Sequence, residues 1–327
     1  MQIRLIKKKE INKFKNLVNF SYKKNHILSK SNRLINFYYN YQHRDNLNIV
    51  GHFLGKELIG AIGFIPYKNW DKSLGNNCHI AFWVKNNKLK STLPLIQFIL
   101  KKVRPNFLAT SGIHKKTSGK IFQKFSPIKK FSNYFIKNDS IECKVSRNLS
   151  NRYNTDIKKN ELVMVCSKSL NCRLKNFTKP NKTLLYFKKK YLNNRFYNYR
   201  CMQFFEKNKI KFFFIFREIK IKELNSKIIR IIDFYGKICN NHSVFFSIQK
   251  FLKKYKYEYI DFLCVGLDRE LKKIGFTKKR KYNLIPNLFE PYSNSSADRN
   301  YCILKNNYKS NVILVKGDGD GDRPNLL

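Results

Sequence analysis

The chain has 327 residues, 43% hydrophobic and 15% aromatic, enough for one large core or two ordinary ones. Disorder needs low hydrophobicity together with high charge, so a disordered chain is excluded. The 67 Lys and Arg against 21 Asp and Glu leave a formal charge of +46, which suits a polyanionic partner, although A/T-rich codons give the same surplus of Lys, Asn, Ile, Phe and Tyr with no partner at all.

In chain order, "NIVGHFLGKELIGAIGFIPY" (residues 48–67) predicts two strands about a tight turn at Gly55-Lys56. "CHIAFWV" (78–84) predicts a buried strand. "STLPLIQFILKKV" (91–103) has helical spacing, with Ser91 as N-cap and Pro94 in the first turn. "NFLATSGI" reads as a strand into a turn, "TSGKIFQKF" as a short helix, and "FSNYFI" as a strand closing the first half. The second half repeats this order. "KFFFIFREI" and "SKIIRIIDFYG" are strands, "HSVFFSIQKFLKKY" is a helix, "YIDFLCVG" a strand, "LDRELKKIGF" a short helix, and "KYNLIP" begins a last strand. Two α+β modules in tandem follow: residues 1–147, a polar connecting segment 148–181 with one strand of its own ("ELVMVCS"), and residues 182–327.

No stretch reaches the roughly 18 apolar residues of a membrane helix. "MQIRLIKKKE" has no apolar region after its charges, so it is not read as a signal peptide, and a cytoplasmic location is expected. Eight cysteines with no C-x-x-C pair argue against a zinc site and against a disulfide framework; reduced, mostly buried thiols are expected, and no metal.

The segments "GKELIGAIGFIP", "FLATSGIHKKTSGKIFQKF", "RFYNY", "RIIDFYG" and "IDFLCVGLDRELKKIGF", with the ending "KGDGDGDRPN", together resemble tandem GNAT-fold (acyl-CoA N-acyltransferase) proteins of bacterial surface-polysaccharide clusters, distantly similar to the Fem aminoacyltransferases. The resemblance spans residues 48–325. It implies mixed β-sheets flanked by helices, acetyl-CoA or another acyl-CoA as donor, and an amino sugar or nucleotide sugar as acceptor. A Fem-like enzyme would instead take an aminoacyl group from charged tRNA, and a degenerate, non-catalytic member would bind polyanions. The family's glycine-rich phosphate loop is absent. The corresponding "VKNNKLKSTLP" offers Lys85, Lys88 and Lys90 for charge and Ser91 and Thr92 for hydroxyls, or else it is a solvated basic loop.

Asp233 lies in an apolar strand, where strict alternation puts Ile231, Asp233 and Tyr235 on one face and Ile232 and Phe234 on the other. A carboxylate there is either a general base or half of an ion pair with Arg230 or a nearby lysine. Asp261 is placed on a solvent face and Asp268 at the cap of the short helix. His79, in the buried strand, reads as an ordinary core histidine. "YFKKKYLNNRFYNYR" (186–200) is either a stacking surface or an amphipathic helix with its rings in the core and its lysines solvated.

The ending "VKGDGDGDRPNLL" matches only the first half of a calcium loop, because Arg323 replaces the glycine at position six, so calcium is set aside. It is either a frayed end or a folded loop led in by a hairpin of "YCILKNN" and "SNVILVKG". In the folded case the resemblance makes Asp320 a second candidate base. It makes Asp318, Asp322, Arg323 and Tyr235 acceptor-binding residues.

Overall fold

A computed structural model of the chain describes residues 1–40, 45–114, 118–151, 162–170, 172, 174, 178–238, 242–289, 292–295, 299–308 and 312–320. Its elements in chain order begin with β1 (Gln2–Lys7), α1 (Ile11–Ser21), α2 (Ile27–Lys30) and α3 (Asn32–Tyr39). Then follow β2 (Asn46–Leu54), β3 (Glu57–Pro66), β4 (Asn77–Lys85), α4 (Leu93–Phe98, continued by a π-helical turn, Ile99–Val103), β5 (Phe107–Ser111), α5 (Ser118–Phe122) and β6 (Lys129–Lys130). Next come β7 (Ser132–Lys137), β8 (Leu162–Ser167), α6 (Leu184–Phe187, continued by a π-helical turn, Lys188–Leu192), β9 (Tyr199–Glu206), β10 (Lys209–Ile221) and β11 (Ser226–Gly236). The chain continues with α7 (Ser243–Tyr255), β12 (Tyr259–Val265), α8 (Asp268–Lys273) and β13 (Thr277–Lys278). A separate two-stranded ribbon of β14 (Leu288–Phe289) and β15 (Tyr292–Ser293) precedes β16 (Asn300–Asn306) and β17 (Leu314–Val315).

The chain divides into two units, Met1–Lys130 with Arg299–Lys309 and Asp318–Leu327, and Phe131–Asp298 with Ser310–Gly317. In the first, the described strands form a mixed sheet in the order β1-β2-β3-β4-β5-β16-β6, with β4 and β5 parallel. Val50, Ile62, Phe64, Cys78, Ile80 and Leu108 turn one face of it onto Leu95, Ile96 and Ile99 of the long helix. The β2–β3 turn is the expected one: Gly55 takes the left-handed conformation (φ 59°) that an L side chain resists, and Leu54 pairs with Glu57 across it. Thr92, not Ser91, stands at the cap of α4, and its side chain makes no cap bond; the Ser91 hydroxyl accepts from the amide of Leu93 at 3.2 Å.

At the edge of this sheet Arg4 grips Glu10 through both guanidinium nitrogens (2.7 and 2.8 Å). That bond, helped by the amide of Lys7, holds the Glu10 carboxyl down at about 2, against an ordinary value near 4.5. The stability it contributes is present above pH 4.5 and is lost as pH falls toward 2. Glu10→Gln is therefore expected to be less stable than wild type at pH 6 and to flatten the acid limb between pH 4.5 and 2, read by urea midpoints across that range.

In the second unit the described order is β13-β7-β12-β11-β10-β9-β8, with β11 and β12 parallel and β17 paired to β12. Phe212, Phe214, Phe216, Ile229, Ile231 and Phe234 pack on Val244, Phe245, Ile248, Phe251 and Leu252 of α7. The two units repeat one plan, a meander of three antiparallel strands, a fourth strand, a long helix and a parallel fifth strand. In both, the fourth strand carries one residue too many. The ladder slips at Ala81 in β4, where Gly63 faces Phe82 and Phe64 faces Ile80. It slips at Ile232 in β11, where Ile215 faces Asp233 and Phe216 faces Ile231.

Four readings of the sequence are corrected. The bulge breaks the alternation predicted around Asp233, so Ile231 and Phe234 share the α7 face while Asp233 points away from it. "KYNLIP" forms no strand, only a bridge between Leu284 and Arg147; the strand after α8 is β13. "YCILKNN" and "SNVILVKG" form no hairpin with each other: β16 lies between β5 and β6, and β17 pairs with β12. Likewise "FSNYFI", read as closing the first half, is β7 and pairs with β12 and β13 in the second sheet.

The seven described cysteines are free, as expected, and burial lifts their thiols, Cys78 to about 12 and Cys143, Cys166, Cys172 and Cys302 to about 11. Among the described residues no helix is long and apolar enough to cross a membrane.

Candidate functional site

Three polar groupings contain the residues singled out by sequence. The first lies in the first unit. Asp318 is fully buried and Asp320 nearly so. Tyr67, which follows β3, donates its hydroxyl to Asp318 Oδ1 at 2.8 Å. Tyr39, the last residue of α3, donates to Asp320 Oδ2 at 3.3 Å, and its ring rests against the bare Cα of Gly63. Between the acids, Gly319 meets the ring of His79 so closely that a Cβ would stand 2.6 Å from Cδ2. His79 sits on β4 with Nε2 3.0 Å from the hydroxyl of Ser111, at the end of β5. Burying a carboxylate is costly unless donors replace water, and the tyrosines are such donors. The last residues described are therefore not a frayed end. Asp322 and Arg323 lie outside the described residues.

The second grouping surrounds Asp233 in the second unit. Its carboxylate is fully buried and accepts from Lys182 (2.7 Å), the Tyr191 hydroxyl (2.8 Å) and the amide of Phe234 (2.8 Å). Of the two roles left open for it, this geometry favours the ion pair, with Lys182 as partner rather than Arg230. Arg230 instead makes a two-pronged bond to Asp261 (2.9 and 2.5 Å), and both are buried, so Asp261 is not on a solvent face. Asp268 does not cap α8. It is the helix's first residue and bonds Lys272, Tyr134 and Lys278, which hold its carboxyl well below the usual range. Tyr235 packs on Phe187 and Phe213 and donates to the carbonyl of Leu174 at 3.3 Å, and burial raises its hydroxyl. In the stretch 186–200, Tyr186, Phe187 and Tyr191 are core rings, the amphipathic reading. Lys190 departs from that reading: it is buried, and its ammonium donates to the Tyr186 hydroxyl and to the carbonyl of Gly317.

The third grouping is the loop 86–92 after β4. Lys88 is spent on Glu57 (2.6 Å), and Lys85 donates to the carbonyl of Leu89 (2.8 Å). Lys90 is exposed and makes no ion pair among the described residues. The Thr92 hydroxyl is fully buried with no hydrogen-bond partner among them. An unpartnered hydroxyl two residues along the same loop from an unpaired ammonium is a donor set that suits an anion.

Tyr39, Tyr67 and Ser111 were not singled out by sequence, and His79 was read only as core. Their one common signal is the fold, since no spacing links positions 39, 67, 79 and 111.

No protein-family model matches the chain, and no curated protein matches it. Solved structures do. A GCN5-related N-acetyltransferase from Anabaena variabilis aligns at a TM-score of 0.53 with 10% identity, over 92% of this chain and 72% of that one. A protein of Enterococcus faecalis described as a probable N-acyltransferase aligns at 0.53 with 9% identity, over 93% and 72%. The architecture is accordingly that of the GNAT acyltransferases: two mixed sheets flanked by helices, spanning nearly the whole chain.

Proposed function

We propose that the chain is an N-acyltransferase whose first unit moves an acyl group from acyl-CoA to the amine of an amino sugar or nucleotide sugar, for cell-surface polysaccharide. The observation that carries this reading is the burial of Asp318 and Asp320 in that unit, each on a tyrosine hydroxyl. Fixed carboxylates suit a ligand that offers hydroxyls and an amine. The fold likeness supplies the reaction class, and the loop after β4 supplies a fit for the donor.

The donor, when bound, supplies an acyl carbon already activated as a thioester. Its diphosphate suits the Lys90 ammonium, the Ser91 hydroxyl and the unpartnered Thr92 hydroxyl; Lys88, neutralised by Glu57, drops out of that set. Asp320 takes the proton that the acceptor amine loses as the new C–N bond forms and the thioester C–S bond breaks, and that proton goes on to the departing CoA thiolate, with Tyr39 holding one of the Asp320 oxygens. Asp318, fixed by Tyr67, accepts from an acceptor hydroxyl. Asp322 and Arg323 join the acceptor side in this reading, Arg323 toward a nucleotide phosphate. Asp233 carries no step, because a carboxylate already held by an ammonium, a phenol and an amide is poorly placed to receive another proton.

The test is transfer of label from acetyl-CoA to a panel of amino sugars and nucleotide amino sugars. Asp320→Asn should lower kcat by about a hundredfold or more, with an unchanged unfolding midpoint. Absence of both CoA binding and transfer in wild type would refute the reading.

A further inference from the structure

The parallel strands β11 and β12 are paired only from Ile229 to Ile231 and from Ile260 to Phe262. Beyond that the ladder between them stops, and β12 takes a new neighbour. Leu314 and Val315 pair antiparallel with Val265 and Cys264. Val315 joins the α7 core and Leu314 is fully buried. Upstream, the amide of Ile313 donates to the carbonyl of Lys179 at 2.9 Å. Downstream, Gly317 presses on β11, where a Cβ would stand 2.7 Å from Ile232 Cγ2, 2.8 Å from the Ile232 carbonyl and 2.5 Å from the Tyr191 hydroxyl. The Gly317 carbonyl accepts from the Lys190 ammonium and, at 3.0 Å, from that hydroxyl.

These contacts all lie within the second unit, and they are of one kind. A short ladder, a carbonyl gripped by a buried ammonium and a phenol, and a spot that admits glycine alone recognise backbone rather than side chains. Ile232, against which Gly317 rests, is the bulged residue of β11. The bulge thus marks the place where β11 leaves β12 and a segment of chain takes over.

We propose that the gap between β11 and β12 is a slot for an extended peptide backbone, that residues 312–317 of this chain are its occupant, and that Lys190 and Tyr191 are positioning residues for the acids that follow. Asp318 comes one residue after the gripped carbonyl and Asp320 three, so a backbone fixed at Gly317 sets where the acidic stretch begins. In the first unit the parallel pair is likewise short, with β4 and β5 paired only from Asn77 to Ile80 and from Phe107 to Thr110. The second unit is thereby a holder for its own chain rather than a second transferase. The positioning role rests on the acyl-transfer reading; the slot does not.

Two full-length variants test it. Gly317→Val puts a branched side chain where a single Cβ already meets backbone at 2.8 Å. The double change Lys190→Met, Tyr191→Phe leaves the backbone alone and removes both donors to the carbonyl, together with the phenol's bond to Asp233 and the ammonium's bond to Tyr186, so its unfolding midpoint is read alongside. Brief native-state trypsin treatment reads the slot as cleavage after Lys316, followed by intact mass. Both variants should be cut there at least tenfold faster than wild type, with the remainder of the chain resistant. If Gly317→Val does not fold, the double variant decides. Cleavage after Lys316 at the wild-type rate in the folded variants overturns the slot. Steady-state transfer reads positioning: kcat should fall at least tenfold with the KM for acetyl-CoA unchanged, a split that general loosening would not give. Equal loss in both constants overturns positioning. Freed Lys316 with no transfer even in wild type leaves the slot standing and removes the acyl-transfer reading instead.

Discussion

Arg230→Met should cost about 3–5 kcal/mol of folding stability, the range for stranding one partner of a buried ion pair. Asp261 is fully buried, and the Arg230 guanidinium meets both of its oxygens, at 2.9 and 2.5 Å. The same guanidinium donates to the carbonyls of Asn287 (3.1 Å) and Pro286 (2.9 Å) and lies 4.5 Å from the centre of the Phe289 ring. Methionine fills much of the volume and supplies none of the donors. Loss of the two carbonyl bonds also releases the segment before β14. Adding Asp261→Asn should recover part of the loss, because the stranded charge goes with it. Urea midpoints of the single and double variants decide; a single variant as stable as wild type would show that the pair contributes nothing net.

Asp233→Ala should be of similar size, about 3–5 kcal/mol, because it leaves the Lys182 ammonium, 4% exposed, opposite an empty site. Asp233→Asn is the sharper probe. It keeps an oxygen for the amide of Phe234 and removes the charge. Its stability loss should be smaller, and transfer per folded molecule should stay within a few-fold of wild type. A folded Asp233→Asn protein that has lost transfer a hundredfold would restore Asp233 as the base.

Most of the elements could be read from sequence because they are written in local pattern. The Gly55-Lys56 hairpin, the isoleucine-rich β11, α7 and β12 each announce themselves by composition or period. The bulge at Ile232 could not be read, since an extra residue in one strand is defined only against its partner, and it reversed the facing expected for Ile231. Nor could the placement of β7 and β16, whose pairings are non-local. Lys190 stands among lysines that are exposed, and its burial is explained by acceptors that include the carbonyl of Gly317, 127 residues on. The Gly-Asp alternation of the ending was visible from the start. Its meaning was not, because the tyrosines that receive Asp318 and Asp320 stand 251 and 281 residues earlier. In three dimensions each described glycine of the run passes a tight contact and each described acid meets a hydroxyl donor.

The placement of β16 also bears on how the protein is made. Tyr301 pairs with Ser111, about 190 residues earlier, and the same strand is the only described partner of β6. While the ribosome is still translating the second half, β5 therefore waits with an open edge of hydrogen-bonding groups. Closing so long a loop is slow, and an apolar edge left waiting invites pairing with other nascent chains. Gene fragments that stop short of residue 306 should accumulate as aggregates, and slower expression at low temperature should favour the soluble full-length product.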